Sequence, residues 1–526
     1  MTEWSDVQAL ISMGLVNRSQ SAHLLLSIKD VDAFKKWLAK DLIGPRRRLA
    51  TTLDVTGNYD PDSKGKPLYQ IAFTPEGLTK MGAREALMKQ FPDPFLEGMA
   101  PALNEKQAEA LRLYNLAKPD ERGPRPTTRR AGILGDVCVN HEHHWNWGGA
   151  TGDGIRGSKI DVLLMLFTYK ERSLHFWANA VLRPEWGLEL ACGGTNPHDS
   201  HAAIFNRLER RAPDPKRPHK KSKHPIEHFG YLDGVSQPMI KGLPRAKYAK
   251  EVRPETYRLH AVEPGEFVLG EKNERQIKTP YPELVDFGKN GSFYVVRQMA
   301  QHVGAYNQLV KGLAAEIGDA SEKSVLEDAA GKIMGRRRDG APLTDMLPEN
   351  KSLSSFSFAG RDSGGLQCPV SSHIRRANPR DSREDEPETS LRLSKRHRIL
   401  RRGRIFGANA DNDNFDAEDQ DKQGVLFMCV NADIAQQFEF IQQTWLNNPT
   451  FAGVDGEVDP IVSGLEPSEK RFTAPARPRP AIVKRDKPLT TVKGGGYFFL
   501  PGKNALLWLA KQPAPAAPSD PTIKEK

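Results

Sequence analysis

The chain has 526 residues, 38% hydrophobic and 27% charged, with 22 Phe, 8 Trp and a formal net charge of +10. That length exceeds the ~250 to 300 residues at which one hydrophobic core stops growing, and the aromatic content is too high for a disordered chain. The four cysteines, Cys138, Cys192, Cys368 and Cys429, lie far apart without a C-x-x-C pair, which argues against a zinc ribbon or a disulfide framework and suits a reducing compartment.

In chain order, "MTEWSDVQAL" lacks a basic region followed by an apolar core, and no run reaches the ~18 apolar residues of a membrane span, so a cytoplasmic protein without a membrane partner is expected. "SAHLLLSI" (Ser21–Ile28) reads as a buried strand, and after Asp30 the residues Val31, Phe34, Trp37, Leu38 and Leu42 recur at helical spacing. Lys118–Arg130 reads as an exposed charged loop, "NHEHHWNWGG" (Asn140–Gly149) as a polar loop rather than a zinc site, and Ile160–Tyr169 as a strand. Arg207–His224 is a proline-broken basic run without stacking aromatics, so a solvated loop is expected there rather than a nucleic-acid surface. Gly291–Met299 is again strand-like, followed by Val303, Tyr306, Val310, Leu313 and Ile317 at helical steps, so the second half opens like the first. Arg380–Arg398 reads as a second exposed loop, Gly424–Val430 as a strand, Ile434–Leu446 as a helix, and the Pro/Ala-rich segment from Lys511 as a disordered tail. The pattern predicts two α+β domains, each a sheet with helices packed on one face.

Three stretches raise the question of chemistry. "EHFGYLDGVSQP" (Glu227–Pro238) sets Asp233 between Gly230 and Gly234, and taken alone it is a tight turn in which the aspartate bonds its own backbone. "CPVSSHIRRANPRD" (Cys368–Asp381) contains His373, by itself a structural or surface histidine, although an imidazole there could ligate a metal or haem iron. "HRILRRGRIFG" (His397–Gly407) has Ile399 and Leu400 ahead of Arg401, a strand that could carry the guanidinium inward or leave it solvated.

Together these stretches resemble the dye-decolourising peroxidases, a haem peroxidase family whose hallmark G-x-x-D-G segment matches "GYLDG". The family's haem-ligand segment matches "CP...HIRRANPR" and its distal arginine segment matches "ILRRGRIFG". Family-like runs also include "IAFTPEGL", "ILGD", "GEFVLGEKNE", "GRRRDGAPL" and "FIQQTWLNNPTF", so the similarity extends from about Ser21 to Pro501. It implies an α+β fold of two ferredoxin-like domains in one chain, with antiparallel sheets and helices packed on them, of the dimeric α/β-barrel type. Residues 1–240 would form the N-terminal domain ending in "GYLDG", 241–510 the haem-binding domain and 511–526 the tail. One haem b per chain is implied, with His373 as iron ligand, Asp233 as distal acid-base residue and Arg401 as distal cation that also contacts the cofactor. Asp459, in "VDPIV", would hydrogen-bond the ligand imidazole, and Val425 and Phe427, alternating on one strand face, would wall the distal pocket.

The implied activity is reduction of hydrogen peroxide and one-electron oxidation of bulky aromatic donors such as dyes and phenols. Cleaving the O–O bond needs a proton moved between its oxygens, which a carboxylate can do, and a fixed cation to stabilise developing charge. Two other readings are a haem-handling protein without substantial turnover and a basic nucleic-acid-binding protein using Arg207–His224. Peroxide turnover separates the first, and salt-dependent DNA retention the second. Homo-oligomerisation is left open.

Overall fold

The architecture is that of a computed structural model, which describes residues 2–44, 48–56, 67–116, 127–149, 159–191, 196–210, 225–244, 254–344, 353–407, 423–464 and 471–513. Ten strands share one antiparallel sheet: β1 (Gln20–Ile28), β2 (Leu68–Phe73), β3 (Val162–Thr168), β4 (Leu188–Leu190), β5 (Ala203–Arg207), β6 (Ser292–Gln301), β7 (Leu400–Arg401), β8 (Arg404–Phe406), β9 (Gly424–Asn431) and β10 (Thr490–Leu500). Seven helices bear on the fold and the site: α1 (Val31–Trp37), α2 (Glu171–Val181), α3 (Val303–Ile317), α4 (Lys323–Met334), α5 (His373–Ala377), α6 (Pro387–Lys395) and α7 (Lys503–Lys511).

The sheet closes on itself. Its order runs β6-β10-β2-β3-β1-β5-β8-β9, and β9 pairs again with β6 over eight residues, so eight strands make a ring. In the first half the order is β5-β1-β3-β2, and in the second it is β10-β6-β9-β8, the same arrangement by position in each half. Among the described residues, the strands of the two halves meet in the ring through one residue pair at each seam, Arg207 with Ile405 and Phe73 with Phe499. Closure removes the exposed edges that two separate sheets would present. At the second seam, side chains replace backbone pairing: Phe499 packs against Phe91, Phe287 and Phe293 with ring centroids 5.0, 5.7 and 5.9 Å away. Such aromatic pairs add ~0.5 to 1.5 kcal/mol each beyond the burial of their area.

Local chemistry accounts for the elements. Asp30 caps α1 by accepting the Ala33 N–H at 2.9 Å, and Phe34 and Trp37 bury the apolar stripe of that helix. Every residue of β2 and β3 is buried, because one face lines the barrel and the other is covered. The stretch 434–446 winds as two π-helical segments, Ala435–Glu439 and Ile441–Leu446, where a regular helix was expected.

Three expectations are corrected. Arg380–Arg398 is no exposed loop: it contains α6, and Arg380, Asp381, Leu391, His397 and Arg398 are buried. The hydroxyls of Ser390 and Ser394 donate to the Arg380 carbonyl at 2.9 and 2.8 Å, fastening the helix over the segment that precedes it. Lys118–Arg130 ends in structure, because Thr128 caps a helix over Arg129–Leu134 and Arg130 is buried against Glu439. Lys511 closes α7 rather than opening a tail. Residues 118–126, 211–224 and 514–526, which hold most of the remaining loop and tail expectations, lie outside the described residues. Of the histidine-rich stretch, His141 and Glu142 are buried in 3₁₀ turns, and among the described residues no group of three or more His, Cys, Asp or Glu could hold a metal ion. No helix among the described residues is long and apolar enough to cross a membrane.

His23 on β1 is fully buried, with Nδ1 2.8 Å from the Asn206 carboxamide oxygen. Burial pushes its pKa down to about 3, aided by the Arg404 charge and opposed by the Asn206 bond. The unfolded chain protonates this side chain near 6.5 and the folded chain only near 3, so its contribution to stability is complete above 6.5 and is lost as the pH falls towards 3. Urea unfolding from pH 7 to 4 should therefore fall less steeply with acid in His23→Gln than in the parent, by up to about 1.4 kcal/mol per pH unit.

Candidate active site

The segment around Asp233 is a short hairpin. Ile226 pairs with Leu232, the Asp233 N–H donates to the Pro225 carbonyl at 2.8 Å, and the Glu227 N–H donates to the Tyr231 carbonyl at 3.1 Å. Gly230 and Gly234 sit at φ 90° and 77°, a left-handed conformation that a side chain would strain. The Gly234 N–H donates to Asp233 Oδ1 at 2.6 Å, so the backbone contact expected of a plain turn is present. The carboxylate is nonetheless partly open to a cavity.

Arg401 ends β7, which pairs with Val430 and Cys429 of β9. Its N–H donates to Gln237 Oε1 at 3.1 Å, its carbonyl accepts from Gln237 Nε2 at 3.2 Å, and its Nη2 donates to the Val235 carbonyl at 2.9 Å. The guanidinium thus belongs to the loop that carries Asp233 and stands 3.8 Å from Asp233 Oδ1. With both side chains roughly a third exposed, the ion pair contributes at most about 1 kcal/mol. The backbone bonds, not this pair, hold Arg401 in place.

His373 opens α5. The other face of that helix is anchored by arginines: Arg376 donates to the carbonyls of Trp445 at 2.9 Å and Glu457 at 3.0 Å, and Arg375 to those of Cys368 at 2.8 Å and Ser363 at 2.9 Å. His373 Nδ1 lies 2.9 Å from Oδ2 of Asp459, which is fully buried. Asp459 Oδ1 accepts the N–H groups of Ile461 at 2.9 Å and Val462 at 2.8 Å. Burial is the largest influence on this carboxyl and raises its pKa. The charge and hydrogen bond of His373, the Val462 N–H and the Arg376 charge outweigh it and hold the group below its ordinary value.

Asp233, Arg401, His373, Val425 and Phe427 line one cavity of about 1740 Å³, its open mouth included, with Asp459 behind His373. One wall is the outer face of the sheet, where Val425 stands opposite Met299 and Phe427 opposite Arg297, while the alternate residues Leu426 and Met428 fill the barrel. Ile374 and Ala377 of α5, with Phe438, Ile441 and Leu446 of the π-helical segments, complete the apolar lining.

Sequence reasoning missed the charge of this cavity. Among the described residues, six arginines line it (Arg297, Arg336, Arg337, Arg380, Arg398 and Arg401) against two carboxylates, Asp233 and Glu227, a balance that favours an anionic group. Arg336 and Arg380 both donate to the Ser236 hydroxyl, at 2.7 and 3.1 Å, and Arg398 donates to the Ser236 carbonyl at 2.9 Å. Burial first, and then the Arg401 charge, lower Arg336 and Arg398 to about 10, and burial, then the Arg336 and Arg398 charges, lower Arg380 as well. The signal was present in "GRRRDG", "NPRD" and "RHRILRR", but a basic run reads as solvated until its carbonyl partners are known.

No family model matches the chain. It is 31% identical over 291 residues to the multifunctional dye peroxidase DyP2 of Amycolatopsis sp., covering 52% of this chain and 59% of that protein. It is 27% identical over 305 residues to the dye-decolorizing peroxidase msp1 of Mycetinis scorodonius, covering 53% and 56%. The chain thus spans somewhat over half the length of the curated relatives it matches. Two solved structures align over nearly all of both chains. The Anabaena sp. DyP-type peroxidase gives a TM-score of 0.69 at 21% identity, covering 96% of this chain and 94% of that one. A dye-decolorizing peroxidase in complex with 2,6-dimethoxyphenol gives 0.67 at 18% identity, covering 97% and 100%. At such identities the structural likeness speaks for the fold. Over about half of its length the chain is thus similar in sequence to dye-decolourising peroxidases, and over nearly all of it the chain shares the fold of DyP-type peroxidases.

Proposed function

We propose that the chain is a haem-dependent peroxidase that reduces hydrogen peroxide and oxidises bulky aromatic donors, dyes and phenols, by one-electron steps. The observation that carries this reading is the convergence on one cavity of an imidazole backed by a buried carboxylate and a carboxylate paired with a fixed cation. The family kinship supports it, and the dimethoxyphenol bound to a neighbouring structure supports phenols among the donors.

Three features suit one haem b per chain. His373 Nδ1 is committed to Asp459, and its Nε2 makes no hydrogen bond among the described residues, which leaves a lone pair for iron. The apolar walls, which include Val425 beside Asp233 and Phe427 further along the same strand face, suit a macrocycle. Arg336, Arg380 and Arg398 supply cations for its carboxylate edge. When bound, haem would supply the iron that takes the peroxide and the oxidising equivalents passed to donors.

The protein's own part follows from its atoms. Asp233, aimed by two left-handed glycines, takes a proton from one peroxide oxygen and returns it to the other. Arg401, always charged, stabilises the negative charge that develops as the bond breaks. Asp459 fixes the tautomer of His373 and makes its imidazole a stronger donor. The repeated strand order supports reading residues 1–240 and 241–510 as two ferredoxin-like domains sharing one barrel. The scattered cysteines suit the cytoplasm as the site of action.

An absorption spectrum of the purified protein before and after peroxide, with a phenol oxidation assay, tests the proposal. A Soret band with donor turnover is expected. Haem without turnover would favour a haem-handling role, and no haem at all would sink both.

His373→Ala should abolish stoichiometric haem binding, titrated by Soret absorbance, while far-UV dichroism stays near parental. Asp459→Asn should keep haem but slow the peroxide reaction, because the imidazole loses its charged acceptor. Asp233→Asn and Arg401→Leu should each slow that reaction in stopped flow, by roughly 10² to 10⁴ and 10² to 10³ respectively. Only Asp233→Asn should also flatten the acid limb of the rate profile.

A further inference from the structure

Besides Asp233, one other carboxylate among the described residues lines the cavity, Glu227, and it belongs to the same hairpin. Glu227 directs its side chain back into its own turn: Oε1 accepts the Tyr231 N–H at 2.9 Å and Oε2 accepts the Phe229 N–H at 3.0 Å. Oε2 also accepts from Nε2 of Gln301, the last residue of β6 and the third in the cavity-facing row with Arg297 and Met299. The Glu227 backbone takes part too, its carbonyl accepting the Gly230 N–H at 2.8 Å and its N–H donating to Tyr231. Apart from the one to Gln301, these bonds fall within the six residues that precede Asp233.

We propose that Glu227 is the positioning residue for Asp233: its carboxylate plugs the turn and rivets it through Gln301 to the barrel, which fixes where the Asp233 carboxylate stands over the cavity. The proposal rests on the peroxidase reading for its kinetic readout and on geometry alone for its structural one. The chemistry demands a carboxylate. Three N–H groups from three directions need acceptors on both oxygens, and an amide offers one acceptor oxygen and turns an NH₂ against a backbone N–H. Without the plug the tip of the turn is held by the Tyr231 hydroxyl, which donates to the Ala330 carbonyl at 2.7 Å and meets the Tyr306 hydroxyl at 2.5 Å, and by the Leu232 N–H on the Arg338 carbonyl at 3.2 Å. Those contacts keep the hairpin in place but leave the turn between Glu227 and Tyr231 free to relax, and a misplacement of about 1 Å at a reacting group can cost ~10²-fold in rate.

Glu227→Gln is the test, read in two ways. In haem-free protein, hydrogen exchange of the peptide spanning 226–234 should be faster than in the parent, while peptides of β6 and α3 exchange alike. In haem-loaded protein, the peroxide rate should drop roughly ten- to hundred-fold with the Soret spectrum and donor KM unchanged. Introduced into Asp233→Asn, the same change should have no further effect on that rate, whereas a residue that merely stabilises the fold would cost the same in either background. Parental exchange in the haem-free variant, or a loss that repeats in full in the Asp233→Asn background, overturns the proposal. A parent that never reacts with peroxide would sink the peroxidase reading and leave the exchange result to judge the turn. If Glu227→Gln does not fold, Gln301→Leu removes the clamp from the barrel side and is held to the same outcomes.

Discussion

Buried arginines bonded to backbone carbonyls are what the site depends on. A cavity walled by loops leaves carbonyl groups that no strand or helix satisfies, and an unpaired buried carbonyl costs about as much as a lost hydrogen bond. Arginine, with five donors in a planar fork, can satisfy several at once. Arg380 takes the Ser354 and Phe356 carbonyls at 3.0 and 2.9 Å, Arg336 those of Gly340 and Leu353 at 2.8 Å each, and Arg376 fastens α5 to the π-helical segment and the loop before Asp459. The same device reaches across the barrel, where Arg402 bonds the carbonyls of Leu10 and Ile11 at 2.6 and 2.9 Å, and Arg404 those of Arg18 and Leu15 at 2.8 and 3.1 Å. Carbonyls satisfy the donors without cancelling the charge, so a scaffold built this way accumulates positive potential where the loops meet. The attraction of the cavity for an anionic group is thus a consequence of how its walls are held.

The barrel provides the other half of the arrangement. Each half repeats the same strand order, and the outer face of the second half's sheet forms one wall of the cavity. Strand alternation then does two tasks with one strand: in β9, Leu426 and Met428 fill the barrel while Val425 and Phe427 face the cavity. The first half closes the ring and sends the hairpin of Asp233 across the seam to meet Arg401, whose strand runs into the seam strand β8.

How far the sequence was legible depended on whether a feature was local. The strands at Ser21–Ile28, Gly291–Met299 and Gly424–Val430 and the helix at Val303–Ile317 were readable because period-two and period-3.6 patterns are written within a few turns of chain. The segment Arg380–Arg398 misled for the same reason: its charge density reads as solvated, and only the fold reveals that Arg380 and Arg398 point at carbonyls around Ser236. Asp233, His373 and Arg401 each had a bland reading taken singly, and family resemblance was what linked them. Glu227 sat six residues from Asp233 in plain view, but a glutamate before a glycine turn has no signature until its oxygens are seen to face inward.

By itself the sequence determined the composition of the two halves, the periodic elements that open each of them, and the glycines that force the backbone of "GYLDG" into a left-handed turn, since all of these follow from the allowed dihedrals and side-chain periodicity of neighbouring residues. Only the tertiary structure decided that two sheets would close into one barrel, pairing Arg207 with Ile405 at one seam and Phe73 with Phe499 at the other. It likewise decided that His373 and Asp459, 86 residues apart, would share a hydrogen bond, and that a net positive cavity would form where arginines from three segments converge on Ser236. Those outcomes depend on which distant carbonyls and carboxylates come within about 3 Å of each donor, and no pattern confined to neighbouring residues encodes that distance.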